Sequence, residues 1–379
     1  MSEKKKELRI CIFCGARPNF IKVAPIIRLV EKMQGGEDDS RKVSYSLVYA
    51  GKADDTTLED GLFTNLEINR PDVCLGVVCE NLNDLTGQVM SKFELYLQAH
   101  PTNAVIVVDD LASTMAAAIV TKKQGITLVH IAAGTRSFDI TMPKEINRLV
   151  IDGLSDILFT AGLSNNSIAN KEGAELSKVY MVGNILIDNI RYNRDRMRGL
   201  TANDIPALKD LHLKEKQYLL FTLNRKALMS DKVNLEKMLT ALTESAGNMP
   251  IIAPLRQSAK VAIADMEVVK CKNLHVIEPL GYLDFGYLAA HACGVITDSG
   301  NVAEEATFNN VPCATLNSYT EHIETVKKGT NLLVGEDAEN LREAVKDMVN
   351  GRWKASELPD RWDGRSAERI VRTLIDVVK

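Results

Sequence analysis

Short apolar runs rich in β-branched residues recur along the whole sequence, and each is followed by a stretch of helical character. In the first half they span residues 8–14, 43–49, 104–108, 127–131, 157–160 and 179–182; in the second, 218–223, 250–253, 274–277, 294–297 and 313–316. Runs of this length without polar alternation are strands buried on both faces, and their alternation with helices demands parallel sheets covered on both sides. The rhythm occurs twice, and 379 residues exceed what one ordinary core holds. The expected fold is therefore α/β, with two Rossmann-like doubly wound domains and a ligand cleft between them. Residues 1–185 form the first expected domain and 186–363 the second, with the join near the basic helical stretch 184–198. Ile370, Val371, Leu374, Ile375 and Val378 recur at helical spacing, so residues 364–379 are expected to form a helix that docks back on the body.

Composition narrows the partners. Apolar residues make up 45%, charged residues 25%, and the net charge of −4 is spread along the chain. No basic footprint for nucleic acid or an anionic membrane surface is present, so an anionic small ligand needs a local basic site. No apolar run approaches the ~18 residues of a membrane span. Lys4, Lys5 and Lys6 precede an apolar stretch, but residues 10–14 are too short for a signal-peptide core. Seven cysteines, an odd number mostly within apolar runs, are expected to be reduced thiols of a cytoplasmic protein. Cys11 and Cys14 make a CxxC pair, but inside a strand rather than at a helix start, which argues against a redox or metal role.

Polar residues gather where strands end. The run 129–148 reads VHIAAGTRSFDITMPKEINR: a strand, a break at Gly134, a polar loop and a helix opening at Pro143. Ligands collect at the carboxyl ends of parallel strands, which places Arg136, Asp139, Lys144, Glu145, Asn147 and Arg148 near one. A solvated loop before a capped helix accounts for the same spacing. The first strand ends in GARPNFIK, where Gly15 permits a tight turn and Arg17 and Lys22 stand by a helix N-terminus that attracts anions. The alternative is a pair of solvent-facing cations. VVDDLAST puts Asp109 and Asp110 at another strand end; adjacent strand residues face opposite ways, so one carboxylate is expected to face a ligand, as base, hydroxyl acceptor or helix cap. TDSGNVAEEA places Ser299 and Gly300 at a helix start with Glu304 and Glu305 in its first turns, where Glu305 could accept ribose hydroxyls. Two helix N-termini offered to one ligand suit a nucleoside diphosphate, weighed against plain capping.

Together these segments resemble a known family. GARPNFIKVAPII, VVDDLAST, HIAAGTRSFDITMPKEINRLVIDGLSDILFT, VGNILID, LGYLDFGYL, TDSGNVAEEATFNNVPCATL, TEHIETVKKGTNLLVG and DGRSAERIV are similar, in order and spacing, to the non-hydrolysing UDP-N-acetylglucosamine 2-epimerases. The resemblance implies a GT-B-type fold and a cytoplasmic homodimer. It implies interconversion of UDP-N-acetylglucosamine (UDP-GlcNAc) and UDP-N-acetylmannosamine (UDP-ManNAc) for surface polysaccharides, with no metal or other cofactor. The implied ligand is UDP-N-acetylhexosamine or UDP, contacted by Arg17, Lys22, Arg136, Glu145, Arg148, Phe285, Ser299, Gly300 and Glu305. Asp110 matches a family acid.

The sequence departs from the family where proton transfer is expected. Ala132 and Lys144 stand at family glutamates, Asn224 and Leu255 at histidines, His322 at an arginine, and Gly51, Lys52 and Ala53 at a Gly-Gln-His turn. Alanine has no proton to move and asparagine does not titrate, while one positioned acid or base is worth about 10²- to 10⁴-fold in rate. The candidate catalytic set is Asp110, Lys144 and His322, with Lys144 a base if desolvated and His322 first a weakened diphosphate contact. Two functions are expected: the epimerase itself, or a homologue that binds UDP-sugar as a regulatory or partner subunit, in a heteromer with an active paralogue.

Overall fold

The computed structural model describes residues 7–34, 42–172 and 177–379; Lys4, Lys5 and Lys6 lie outside them. The chain forms two compact units, Met1–Arg191 with Asp360–Lys379, and Tyr192–Pro359. The first is built on β1 (Leu8–Cys14), β2 (Val43–Tyr49), β3 (Val73–Cys74), β4 (Ala104–Val108), β5 (Thr127–Ala133), β6 (Ile157–Thr160) and β7 (Lys178–Met181). These pair in parallel in the order β3-β2-β1-β4-β5-β6-β7. The second holds β8 (Leu219–Phe221), β9 (Ile251–Pro254), β10 (Leu274–Ile277), β11 (Gly294–Thr297), β12 (Cys313–Thr315) and β13 (Asn331–Leu333), parallel in the order β10-β9-β8-β11-β12-β13. The doubly wound α/β architecture is present twice. In each sheet the winding reverses beside the unit's first strand, between β1 and β4 and between β8 and β11, the position at which doubly wound sheets take their ligands.

Burial on both faces explains why the strands read as unbroken apolar runs. Around β8, Leu219 and Phe221 enter one apolar cluster while Tyr218 and Leu220 enter another. The strands that the sequence reading omitted, β3 and β13, are two and three residues long at sheet edges, too short and too exposed to carry an apolar signal. Cys11 and Cys14 are both buried in β1, where burial pushes both thiols up and withholds the thiolate that redox or metal chemistry needs. Cys79 and Cys271 are exposed. Among the described residues no helix is long and apolar enough to cross a membrane.

The divide between the units falls inside the helix Ile185–Arg196, and the carboxyl-terminal segment rejoins the first unit. Trp362 is buried there and donates from Nε1 to the Ala161 carbonyl at 3.0 Å. The helix Ser366–Val377 buries Ile370, Val371 and Leu374. Its first N–H groups, those of Ser366 and Ala367, donate to the Asp188 carboxylate at 3.1 and 2.8 Å, so a distant helix supplies the cap this N-terminus needs. Burial nevertheless pushes the Asp188 carboxyl up to about 6. Asp188→Ala is expected to cost about 1–3 kcal/mol by leaving buried N–H groups unmade. A raised pKa means that the contribution of Asp188 is present at low pH and fades as the pH rises through about 6. Thermal melting at pH 5 and pH 8 checks this: the loss should be larger at pH 5.

Candidate active site

In the first unit the chain leaves β1 through Gly15 and Ala16 into the helix Arg17–Gln34. Asn19 shapes that turn: its Oδ1 accepts the N–H groups of Gly15 at 2.9 Å and Ala16 at 3.3 Å. Its Nδ2 donates to the Asp109 carboxylate at 3.1 Å. Lys22, buried one turn on, donates to the same carboxylate at 2.6 Å. Arg17 is half-buried and has no hydrogen-bond or ion-pair partner among the described residues.

Asp109 follows β4 with φ +62°, a left-handed conformation that breaks the strand alternation. The expectation that alternation sends one carboxylate away therefore gives way to another arrangement. Asp109 turns to Asn19 and Lys22, whereas Asp110 turns to the helix Pro143–Leu154. There it accepts from Arg148 Nε at 2.9 Å and Nη2 at 2.6 Å, with Lys144 Nζ at 3.5 Å. Burial pushes the Asp110 carboxyl up, but Lys144 and Arg148 outweigh it and hold it below its ordinary value. The Lys144 side chain is 65% exposed, so its ammonium stays in water and lacks the desolvation a lysine base requires.

The remaining first-unit candidates are engaged with the protein itself. Glu145 accepts from Ser137 N at 2.9 Å, Ser137 Oγ at 3.0 Å, Phe138 N at 3.1 Å and Arg148 Nη1 at 2.9 Å. It ties the polar loop to the helix. Arg136 turns inward and donates to Asp152 at 2.7 Å, Glu172 at 2.8 Å and the Thr135 carbonyl at 2.8 Å. Asp152 also meets His130 Nδ1 at 2.6 Å and accepts Gly134 N at 3.0 Å, while His130 Nε2 reaches the Asp109 carbonyl at 3.1 Å. Both His130 partners are acceptors, so the ring serves both only with a hydrogen on each nitrogen. A chain of contacts thus runs from Glu172, which is exposed, through the buried Arg136, Asp152 and His130 to the backbone of Asp109. Sequence reasoning named Asp109 only as one of two carboxylates at a strand end and missed His130 and Asp152; the available signals were a histidine amid an apolar strand and an acid on the buried face of a helix. Gly134 has φ +72°, and a Cβ there would stand 2.2 Å from the Asn165 carbonyl oxygen. Ala132 beside it, at φ +68°, offers only a methyl group.

In the second unit Asp298 follows β11 and accepts the N–H groups of Asn224 and Arg225, both at 2.6 Å, which fixes the loop leaving β8. Its Oδ1 is buried without a partner. Arg225 is held by Asn317 and Glu336. Ser299 precedes the helix Gly300–Phe308 and makes no side-chain capping bond, which leaves its hydroxyl over. The His322 ring lies over Gly300, where a Cβ would be 2.3 Å from ring atoms, and its Nδ1 meets Glu304 at 2.7 Å. Burial, then the Glu304 charge, pushes the Glu305 carboxyl up to about 8, and no hydrogen bond relieves it. Phe285 packs half-buried against the cluster of Tyr218 and Leu220. Leu255 is core, 1% exposed. Asp110 and Lys144 meet; His322 belongs to the second unit. The first unit thus offers a charged edge with an ionised acid, and the second a helix N-terminus with a free hydroxyl and a carboxyl, suited to an anion bearing hydroxyls.

Comparison with known proteins identifies the family. Residues 37–375 match the family described as UDP-N-acetylglucosamine 2-epimerase. A UDP-N-acetylglucosamine 2-epimerase homolog of Methanococcus maripaludis is 32% identical over 97% of this chain and 99% of its own length. The UDP-2,3-diacetamido-2,3-dideoxy-D-glucuronate 2-epimerase of Pseudomonas aeruginosa is 30% identical over 90% of each. The crystal structure of the Methanocaldococcus jannaschii UDP-GlcNAc 2-epimerase in complex with UDP-GlcNAc and UDP superposes with a TM-score of 0.80 at 30% identity, covering 97% of this chain and 99% of that one. With a profile spanning most of the sequence and relatives of this identity aligned end to end, the chain belongs to the UDP-N-acetylglucosamine 2-epimerase family.

Proposed function

We propose that the protein binds a UDP-N-acetylhexosamine and epimerises it at C2, interconverting UDP-GlcNAc and UDP-ManNAc for surface polysaccharide synthesis. One observation carries the reading: the Asp110 carboxylate is kept ionised by Arg148 and Lys144 at the carboxyl edge of the first sheet, a state able to accept a proton at neutral pH. Loss of the C2 proton as UDP departs gives an enzyme-held glycal, and UDP returns as a proton reaches the opposite face. Ser299 and Gly300 at their helix N-terminus would hold the diphosphate, Glu305 the ribose hydroxyls, and Phe285 an apolar part of the ligand. Lys144 and Arg148 would keep Asp110 charged, and His322 would contact the diphosphate. Arg136 and Glu145 would act as positioning residues, because their polar atoms are spent on the loop 134–142 and its supports. The protein is proposed to work in the cytoplasm as a homodimer, or paired with an active paralogue; sedimentation of the purified protein alone and with such a paralogue distinguishes the two.

Proton NMR of UDP-GlcNAc incubated with the protein in deuterated water tests the activity: deuterium should appear at C2. Asp110→Asn should slow that exchange by about 10²-fold or more while UDP still binds in calorimetry. Ala132 and Asn224 carry no titrating group, which favours a second reading as a binding subunit without turnover. UDP binding with no exchange in the unmodified protein would decide for it.

A further inference from the structure

Resting on the reading of the protein as a UDP-sugar binder, the geometry around Asp109 points to a residue that sets ligand charge. We propose that Asp109 holds Lys22 in a neutral pair, so that this edge of the first unit receives an uncharged sugar rather than a phosphate. Lys22 stands one turn into a helix whose start favours anions, yet its ammonium is 2.6 Å from the Asp109 carboxylate, with both side chains largely buried. Asn19 fixes the other carboxylate oxygen at 3.1 Å. The carboxylate is therefore built into place from two sides.

The backbone makes the same point. Asp109 occupies φ +62°, a conformation glycine enters without strain and other residues keep only when their surroundings enforce it. The surroundings that enforce it are the Lys22 and Asn19 contacts to its side chain and the His130 contact to its carbonyl. Charge along this edge balances: Lys22, Lys144 and Arg148 face Asp109, Asp110 and Glu145. Arg17 is the cation left over. Without Asp109 that surplus would grow by one charge, on an ammonium released to meet a phosphate.

Calorimetric titration with UDP at fixed ionic strength tests this on four proteins: unmodified, Asp109→Gly, Asp109→Asn, and Asp109→Gly with Lys22→Met. Glycine suits the positive φ, so the fold should tolerate it. Asp109→Gly is expected to bind UDP about tenfold more tightly, with the gain shrinking as salt is added. Asp109→Asn should move the same way, and the double variant should return to the unmodified affinity. A merely structural Asp109 would weaken binding when lost. UDP affinity unchanged or lowered in both single variants, or a gain that survives Lys22→Met, overturns the proposal while leaving the UDP-sugar reading intact. No UDP binding by any of the four overturns both.

Discussion

Asp152→Ala is expected to lower stability by about 3–5 kcal/mol, seen as a lower urea midpoint for the first unit with an unchanged slope. The Asp152 carboxylate is 3% exposed and stands between His130 and Arg136, whose side chains are each 2% exposed. Removing it leaves two buried donors and the Gly134 N–H facing a methyl group, and no nearby acid can take its place because Glu172 already serves Arg136 Nε. Burial pushes the Asp152 carboxyl up, but His130 and Arg136 outweigh burial, so its net position is below the ordinary 3.8. A lowered folded value means that the contribution is present above about pH 4 and lost as the pH falls through the folded pKa. The penalty of Asp152→Ala should therefore be full at pH 7 and shrink in acid. A variant as stable as the unmodified protein at pH 7 would refute the buried-hub account. Because the hub also anchors the Asp109 carbonyl and the start of the polar loop, C2 exchange in the folded fraction should fall too.

The strands were legible because their burial is two-sided. Residues 8–14, 43–49, 104–108, 157–160, 274–277 and 294–297 are strands with those same limits, since each apolar run stops where the chain turns back into solvent. The site was legible only as positions. Asp110, Ser299 and Gly300 lie where a strand hands over to a helix, and Lys22 and Arg148 lie in the second turn of the helix that follows, so a reading of strand ends reaches these candidates. Their partners were not legible, because partnership is tertiary: Arg136 looks like a ligand-facing cation until Glu172 and Asp152 are brought to it by separate helices. Asp109 was misjudged for a backbone reason. Strand alternation assumes extended φ, and the left-handed turn at that residue keeps both carboxylates at the sheet edge. Lys144 could be read as base or surface residue; its place in the first turn of a helix, away from the apolar face, leaves it in water.

Glu305→Gln is expected to remove most of a stability loss that the unmodified protein suffers as the pH rises. Glu305 is 9% exposed and lies next in sequence to Glu304, itself buried and engaged by His322. Burial first and the Glu304 charge second push its carboxyl up from 4.5 to about 8. Between those two values the folded protein keeps a proton that the unfolded chain has released, so stability is full below 4.5 and falls as the pH rises toward 8, at up to about 1.4 kcal/mol per pH unit. Glutamine is isosteric and carries no charge to desolvate. The variant should match the unmodified protein near pH 5 and exceed it by a few kcal/mol near pH 8, as read from urea unfolding across that range. Equal pH profiles for the two proteins would place the titration elsewhere. The same carboxyl ties stability to ligand: if ribose hydroxyls donate to it, they favour the ionised form, and binding must release the proton. UDP titrations at pH 7 in two buffers of different ionisation enthalpy should then show up to one proton released by the unmodified protein and none by Glu305→Gln. A nucleotide whose hydroxyls reached Glu305 would thus relieve the residue that is costly in the unliganded protein as the pH rises, by supplying the hydrogen bonds that the buried carboxyl lacks.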